Sequence, residues 1–319
     1  MTLDLGGLDH VYRAYGLAVY SQMPLPELAP ATPDEADACD GRVTIRLGKV
    51  PRNLRGGQRI AGLLEHRGDV CHYDFPEAGR YLVARGEAIT VDPAEGASGG
   101  NVRAYLFGSV MGTLLHQRRF LPLHVSAVAT PRGLVAFTGA SGAGKSTMAG
   151  LLHRETGWPI FSDDVAVLRP GERQPLLQAG VLRLKLWRDA VALLGADPAR
   201  LTRDVARYDK FHVDAPEMFG PASAPLAALF ELQGGETVEI RPVAGFRSFE
   251  MVARAIYRPY LVGLFGDMER ATRSCAEVAA AIACYTLHRP RSPEGLDGSV
   301  RAIVERFSGQ AGARALDRK

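Results

Sequence analysis

The stretch that most constrains this chain is Gly139–Ser146, which reads Gly-Ala-Ser-Gly-Ala-Gly-Lys-Ser. It fits G-x-x-x-x-G-K-[ST], a loop that should follow a strand and open a helix. Both flanks are present. Leu134-Val135-Ala136-Phe137 reads as a buried strand, and Met148, Leu151 and Leu152 recur at helical spacing behind the loop. The chemistry explains the residue types. Glycines let backbone N–H groups close around phosphate oxygens, where a Cβ would obstruct the curl. Lys145 supplies a cation to the outer phosphates, and the Ser146 hydroxyl suits Mg²⁺. The helix N-terminus adds partial positive charge. The expected phosphate contacts for ATP are therefore Gly139, Ala140, Ser141, Gly142, Ala143, Gly144, Lys145, Ser146 and Thr147.

What precedes the loop separates this chain from ordinary nucleotide-binding α/β folds. Leu123–Ala129 reads as a strand, and only Thr130-Pro131-Arg132-Gly133 lies between it and the next. A parallel crossover needs a dozen or more residues, so these strands are antiparallel if they pair. The common doubly wound fold instead reaches its neighbouring strands through helices. If Ala129 faces Leu134, a constant sum of paired numbers sets His124 opposite Gly139. His124 then stands at the loop as a candidate active-site residue.

Downstream, Trp158–Phe161 leads into Ser162-Asp163-Asp164, followed by Val165–Leu168. A carboxylate here can hold Mg²⁺ or accept a hydroxyl proton. The apolar flanks predict a strand through the core, where unpaired carboxylates would be costly. Adjacent strand residues face opposite ways, so the two aspartates should not share one role unless the strand bends. Val181–Leu186 alternates, with Arg183 and Lys185 on one face. These two are candidates for phosphate contact, and a solvated strand face explains them equally well. Lys210, in a polar loop over 201–214, and Arg258, at a break between helices, complete the candidate list.

The remainder sets the frame. Residues 1–100 read as β-rich, with short strands at Tyr15–Tyr20, Val43–Leu47, Val70–Phe75, Arg80–Ala84 and Ala88–Val91. A support or recognition domain over 1–100 and a nucleotide-binding domain over 101–319 are expected, starting with a helix near Val102–Arg118. Leu226–Gln233 and Thr237–Pro242 read as paired strands, and Arg247–Tyr257, Ser274–His288 and Ser299–Phe307 as helices. A net charge of +3 makes no case for a nucleic-acid surface. No stretch approaches the roughly 20 apolar residues of a membrane span. Four cysteines without metal spacing fit a reduced, cytoplasmic setting.

Together, Leu123-His124-Val125-Ser126-Ala127-Val128, the turn, Gly139–Ser146 and Ser162-Asp163-Asp164 resemble the HPr kinase/phosphorylase family. The resemblance implies an α/β fold with α+β character, in the phosphoenolpyruvate carboxykinase-like P-loop group. It implies ATP and Mg²⁺ as cofactors, Asp164 as the base toward a protein serine, and His124 and Lys145 in the active site. It assigns Mg²⁺ to Ser146, with Asp163 as a further candidate ligand, and it implies a homo-oligomer. Tyr15-Gly16-Leu17 and Leu25-Pro26-Glu27-Leu28 look like the shorter HPr-kinase-like proteins, some of which phosphorylate a serine of lasso precursor peptides. The acceptor expected is therefore a serine of a peptide or small protein, with no nucleic acid and no membrane as partner. Val181–Gly195 lacks the glycine-rich signature of the regulatory enzymes, which sets bifunctional HPr kinase/phosphorylase activity as the alternative. A nucleotide-binding regulator without transfer is the other.

Overall fold

A computed structural model describes residues 7–169, 174–195, 197, 199, 201–203, 209–213 and 216–309. Pro170-Gly171-Glu172-Arg173, which read as a turn in sequence, and residues 204–208 and 214 of the expected polar loop lie outside them. The N-terminal strands are β1 (His10–Ala14), β2 (Leu17–Ser21), β3 (Ala29–Pro30), β4 (Arg42–Leu47), β5 (Gln58–Ala61), β6 (Leu64–Arg67), β7 (Val70–Phe75), β8 (Gly79–Ala84) and β9 (Ala88–Pro93), with the short helix α1 at Pro33–Asp37. They form one mixed sheet in the order β3-β1-β2-β4-β9-β8-β7-β6-β5. The β5–β6 hairpin lacks the apolar alternation that marks a strand in sequence, and pairing alone makes it one.

The helix expected near 102–118 is interrupted. It runs as α2 (Gly99–Tyr105), a π-helical turn over Leu106–Val110, and α3 (Met111–Gln117). Ser98 caps it by accepting from Asn101 N. Its apolar stripe, Leu106, Phe107, Val110, Met111, Leu114 and Leu115, packs on Val43, Ile45, Tyr81, Val83, Ile89 and Val91 of the sheet. Each such burial contributes about 1.5–3 kcal/mol. Val165, Val167, Val181 and Leu261 belong to the same apolar cluster, so the N-terminal sheet shares its core with the rest of the chain.

The second large sheet contains β10 (Leu121–Leu123), β11 (Ser126–Thr130), β12 (Gly133–Thr138), β13 (Ile160–Ser162), β14 (Ala166–Arg169) and β15 (Leu176–Gln178), with α4 (Lys145–Thr156) after β12. A small sheet, β16 (Leu184–Trp187), β17 (Thr202–Arg203) and β18 (Lys210–Val213), stands apart in the order β16-β18-β17, with α5 at Arg188–Leu193. The chain closes with β19 (Ser223–Gly234), β20 (Glu239–Val243), α6 (Phe246–Arg254), α7 (Tyr260–Leu264), α8 (Met268–Ala281), β21 (Ala283–Arg289) and α9 (Pro293–Phe307). The second sheet runs β10-β14-β15-β19-β12-β11-β13, with β21 also beside β19 and β20 beside β21.

The alternation of β12 divides two helical layers. Leu134 and Ala136 pack in one cluster with Met251 and Val252 of α6 and Ala271, Cys275 and Val278 of α8. Val135 and Phe137 pack in another with Met148 and Leu152 of α4 and Ile303 and Phe307 of α9. This is a mixed α/β architecture with helices on both faces of the sheet. Three expectations differ: the polar loop expected over 201–214 carries β17 and β18, and two pairings or boundaries shift. β20 pairs with β21 rather than β19, and the helix expected over 274–288 ends at Ala281. Residues 283–289 form a strand parallel to β19, a pairing that local periodicity cannot report. All four cysteines are free, and Cys71, Cys275 and Cys284 are buried. Burial pushes the Cys71 thiol up to about 12 and the Cys275 thiol to about 11. Among the described residues no helix is long and apolar enough to cross a membrane.

Candidate active site

β11 and β12 form the expected hairpin, with Ala129 opposite Leu134 and Ser126 opposite Phe137. β12 ends at Thr138, and the glycine-rich loop turns directly into α4. Gly139, Gly142 and Gly144 take φ of 137°, 79° and 93°, which a side chain would resist. Lys145 folds back over the loop, its Nζ donating to Gly139 O at 2.9 Å and Ala140 O at 3.3 Å. It is only 8% exposed. Burial lowers its pKa, while Asp163 and Asp164 act to raise it. Arg289 donates from Nη2 to Ala143 O at 2.9 Å, bracing the loop from β21.

The acidic pair does not lie on a continuous strand. β13 stops at Ser162 and β14 begins at Ala166, and the two pair with different neighbours. Ser162 Oγ donates to Val165 O at 2.7 Å across the break, and Asp164 adopts φ 81°. Strand alternation therefore does not apply, and both carboxylates line the same cleft as Lys145 and Ser146.

Their environments differ. Asp163 is 4% exposed, accepting from Ser126 Oγ at 2.5 Å and from Lys185 N at 2.8 Å. Burial pushes its carboxyl up, although the bonds from Lys185 N and Ser126 and the Ser146 hydroxyl act to lower it. The Asp164 side chain keeps 28% exposure. Lys185 Nζ lies 3.3 Å from its Oδ2, and His124 Nδ1 lies 3.2 Å from its Oδ1. Burial alone would raise Asp164, but the Lys185 ammonium and then His124 outweigh it and hold the carboxyl below the usual range.

His124 arrives by a route the register did not foresee. The ladder with β12 ends at Ser126, and His124 N donates to Ala255 O at 2.6 Å instead of facing Gly139. The side chain still lines the cleft, stacked on Tyr257 at 5.8 Å between centroids. Ser141, Gly142, Gly144 and Thr147 also line the cleft, which encloses about 140 Å³. Lys185 and Lys210 both reach it. Lys210 Nζ sits 4.9 Å over the ring of Trp187, its partner across β16 and β18. Arg183 and Arg258 are not among the residues lining this cleft. Arg183 is buried on Glu27, and Arg258 donates to Ser109 Oγ at 2.8 Å. Three participants escaped sequence reasoning: Ser126, Trp187 and Tyr257. Ser126 shares the His124 face at a spacing of two, which is a usable signal. Trp187 has the same relation to Lys185. Tyr257 had none.

Ser146 and Asp163 line the same cleft, and the Ser146 hydroxyl favours the ionised form of Asp163. Mg²⁺ is bound by one or two such groups, completed by water and phosphate oxygens, so these residues fit it. Among the described residues no cluster of three or more His, Cys, Asp or Glu forms a self-contained metal site.

No protein-family model matches the chain, and no curated protein matches it. Among solved structures it is similar to the Hpr(Ser) kinase/phosphatase from Coxiella burnetii, with a TM-score of 0.31 and 12% identity. That match covers 58% of this chain and 95% of the other.

Proposed function

We propose that the chain is an ATP-dependent kinase that phosphorylates a serine of a peptide or small protein, lasso precursor peptides included. The observation that carries this reading is the convergence of Lys145, Ser146, Asp163 and Asp164 on one cleft. Binding alone needs no second, ionised carboxylate beside the metal position. The hairpin that runs directly into the loop supports the phosphoenolpyruvate carboxykinase-like P-loop group.

Loop N–H groups and Lys145 hold the β- and γ-phosphates, as in other P-loop sites. Ser146 and Asp163 are the residues that would hold Mg²⁺, which supplies charge neutralisation to the phosphates when bound. Asp164 accepts the serine proton as the serine oxygen bonds to the γ-phosphorus. The bond from that phosphorus to the β–γ bridging oxygen breaks, and ADP leaves with its electron pair. Lys185 and His124 hold Asp164 ionised and oriented, and Lys185 is within reach of the developing phosphoryl charge. The β-rich N-terminal sheet is proposed to hold part of the acceptor.

The test is phosphoserine formation from labelled ATP with candidate peptides, comparing wild type with D164N and K145A. Transfer is expected to be abolished in K145A and reduced at least about 100-fold in D164N. Abundant phosphoserine from D164N would remove Asp164 as the base. Tight ATP binding with no transfer to any peptide would favour the regulator instead.

A further inference from the structure

Val181–Leu186 alternates in sequence, yet Arg183 and Lys185 have different fates. Lys185 enters the cleft, whereas Arg183 is only 2% exposed. Its Nη1 donates to Glu27 Oε1 at 3.2 Å. Glu27 is itself buried and also accepts from Arg103 Nε at 2.8 Å and 3.0 Å. The Glu27 carbonyl accepts from Leu182 N at 2.7 Å. The N-terminal segment is thus tied, by side chain and backbone, to the stretch leading into β16.

Nε and Nη2 of Arg183 have no hydrogen-bond partner among the described residues. Arg183 lines a cavity of about 10 Å³ with Tyr15, Asp163, Asp164 and Lys185. That space holds no more than a water. Asp163, Asp164 and Lys185 line both this cavity and the cleft, so the acidic pair is the wall between them. Glu27 serves both Arg103 and Arg183, one carboxylate for two cations. A buried cation needs opposite charge nearby, and Asp164 lines the same cavity as Arg183. Asp164 in turn holds a backbone conformation that side chains rarely adopt and that needs support from its surroundings.

We propose that Arg183 is a positioning residue. Fixed by Glu27, it holds the bend at Asp164 from the closed side and keeps the acidic pair in place when Lys185 turns toward phosphate. The role rests on the phosphotransfer reading, and it makes the N-terminal segment part of the catalytic machinery.

The full chain is compared with R183M, R183K and, as a milder perturbation, E27Q. Methionine keeps comparable length and removes the charge. A misplaced base is expected to lower kcat about 100-fold in R183M. Affinity for Mg²⁺·ATP should stay within about threefold, and R183K should recover at least about tenfold of the lost kcat. E27Q should fall between wild type and R183M. Crystal structures of the same proteins give a reading independent of any acceptor. In R183M, Asp164 should leave positive φ, or Lys185 Nζ should move beyond about 4 Å from it. If R183M does not fold, E27Q carries both readouts. A wild-type kcat in R183M, or a bend and Lys185 contact unchanged in the variants, overturns the proposal. A wild type that transfers no phosphate counts against the kinase reading, and the bend in the variants still decides the role of Arg183.

Discussion

Asp163 and Asp164 are neighbours in sequence held in opposite electrostatic states. Burial raises Asp163, so its folded form favours the proton. Its contribution to stability is therefore greatest at low pH and is lost as pH rises through the raised value. At neutral pH an ionised Asp163 costs stability, and D163N removes that cost. Asparagine can still accept from Lys185 N and donate to Ser126 Oγ. D163N is expected to melt at or above the wild-type temperature while losing Mg²⁺-dependent transfer, which calorimetry and the peptide assay would show. Asp164 behaves in the reverse sense. Burial opposes its charge, but Lys185 and His124 depress it, so its stabilisation is present above the ordinary carboxylate range. That stabilisation fades only as pH falls through the depressed value. D164N should therefore destabilise by about 1–3 kcal/mol, because it leaves Lys185 without its carboxylate. It should also lower transfer by about 10²–10⁴-fold. Equal melting temperatures for D163N and D164N would contradict this division.

Among the elements, α3 sets the position of the His124 partner. Gly112 lies against the ring of Tyr257, where an added Cβ would come within 2.7 Å of its Cε1. Tyr257 carries the stacking contact of His124 and is anchored by its N–H to Pro122 O at 2.8 Å. G112A is expected to cost about 1–3 kcal/mol through overpacking. It should lower transfer more than ATP affinity, because the ring it displaces touches the base side of the cleft and not the loop. Paired melting curves and ATP titrations would check this. Much at this scale was legible in the sequence. The antiparallel sense of the hairpin followed from a turn too short for any crossover, and the loop, its strand and its helix followed from local spacing. The bend at Asp163–Asp164 did not, because it is made when Ser162 closes on Val165 and the two flanking strands join different neighbours. Glu27 was out of reach for a plainer reason: it meets Arg183 across 156 residues of chain. β21 was misread as helix because its strand character comes from β19.

For the whole molecule, the shared core argues for joint folding of the two parts. The sheet of β1–β9, the α2–α3 stripe and Val165, Val167, Val181 and Leu261 form one cluster. The chain is expected to unfold in a single transition, with calorimetric and van't Hoff enthalpies equal. Residues 101–319 expressed alone should lack cooperative melting, since the α2–α3 stripe would lose its cover. Two resolved transitions for the full chain would refute this. The burial of the cysteines turns that question into a measurement on the native sequence. Cys71 sits in the N-terminal cluster, while Cys275 on α8 and Cys284 on β21 share the cluster beneath α6 and α8. Each thiol is shielded and held protonated, so alkylating reagents gain access only when its own layer opens. The rates at which Cys71 and Cys275 are captured would time the opening of the two halves separately. Coincident rates would mark one opening event, and a faster Cys71 would show the N-terminal layer peeling away first.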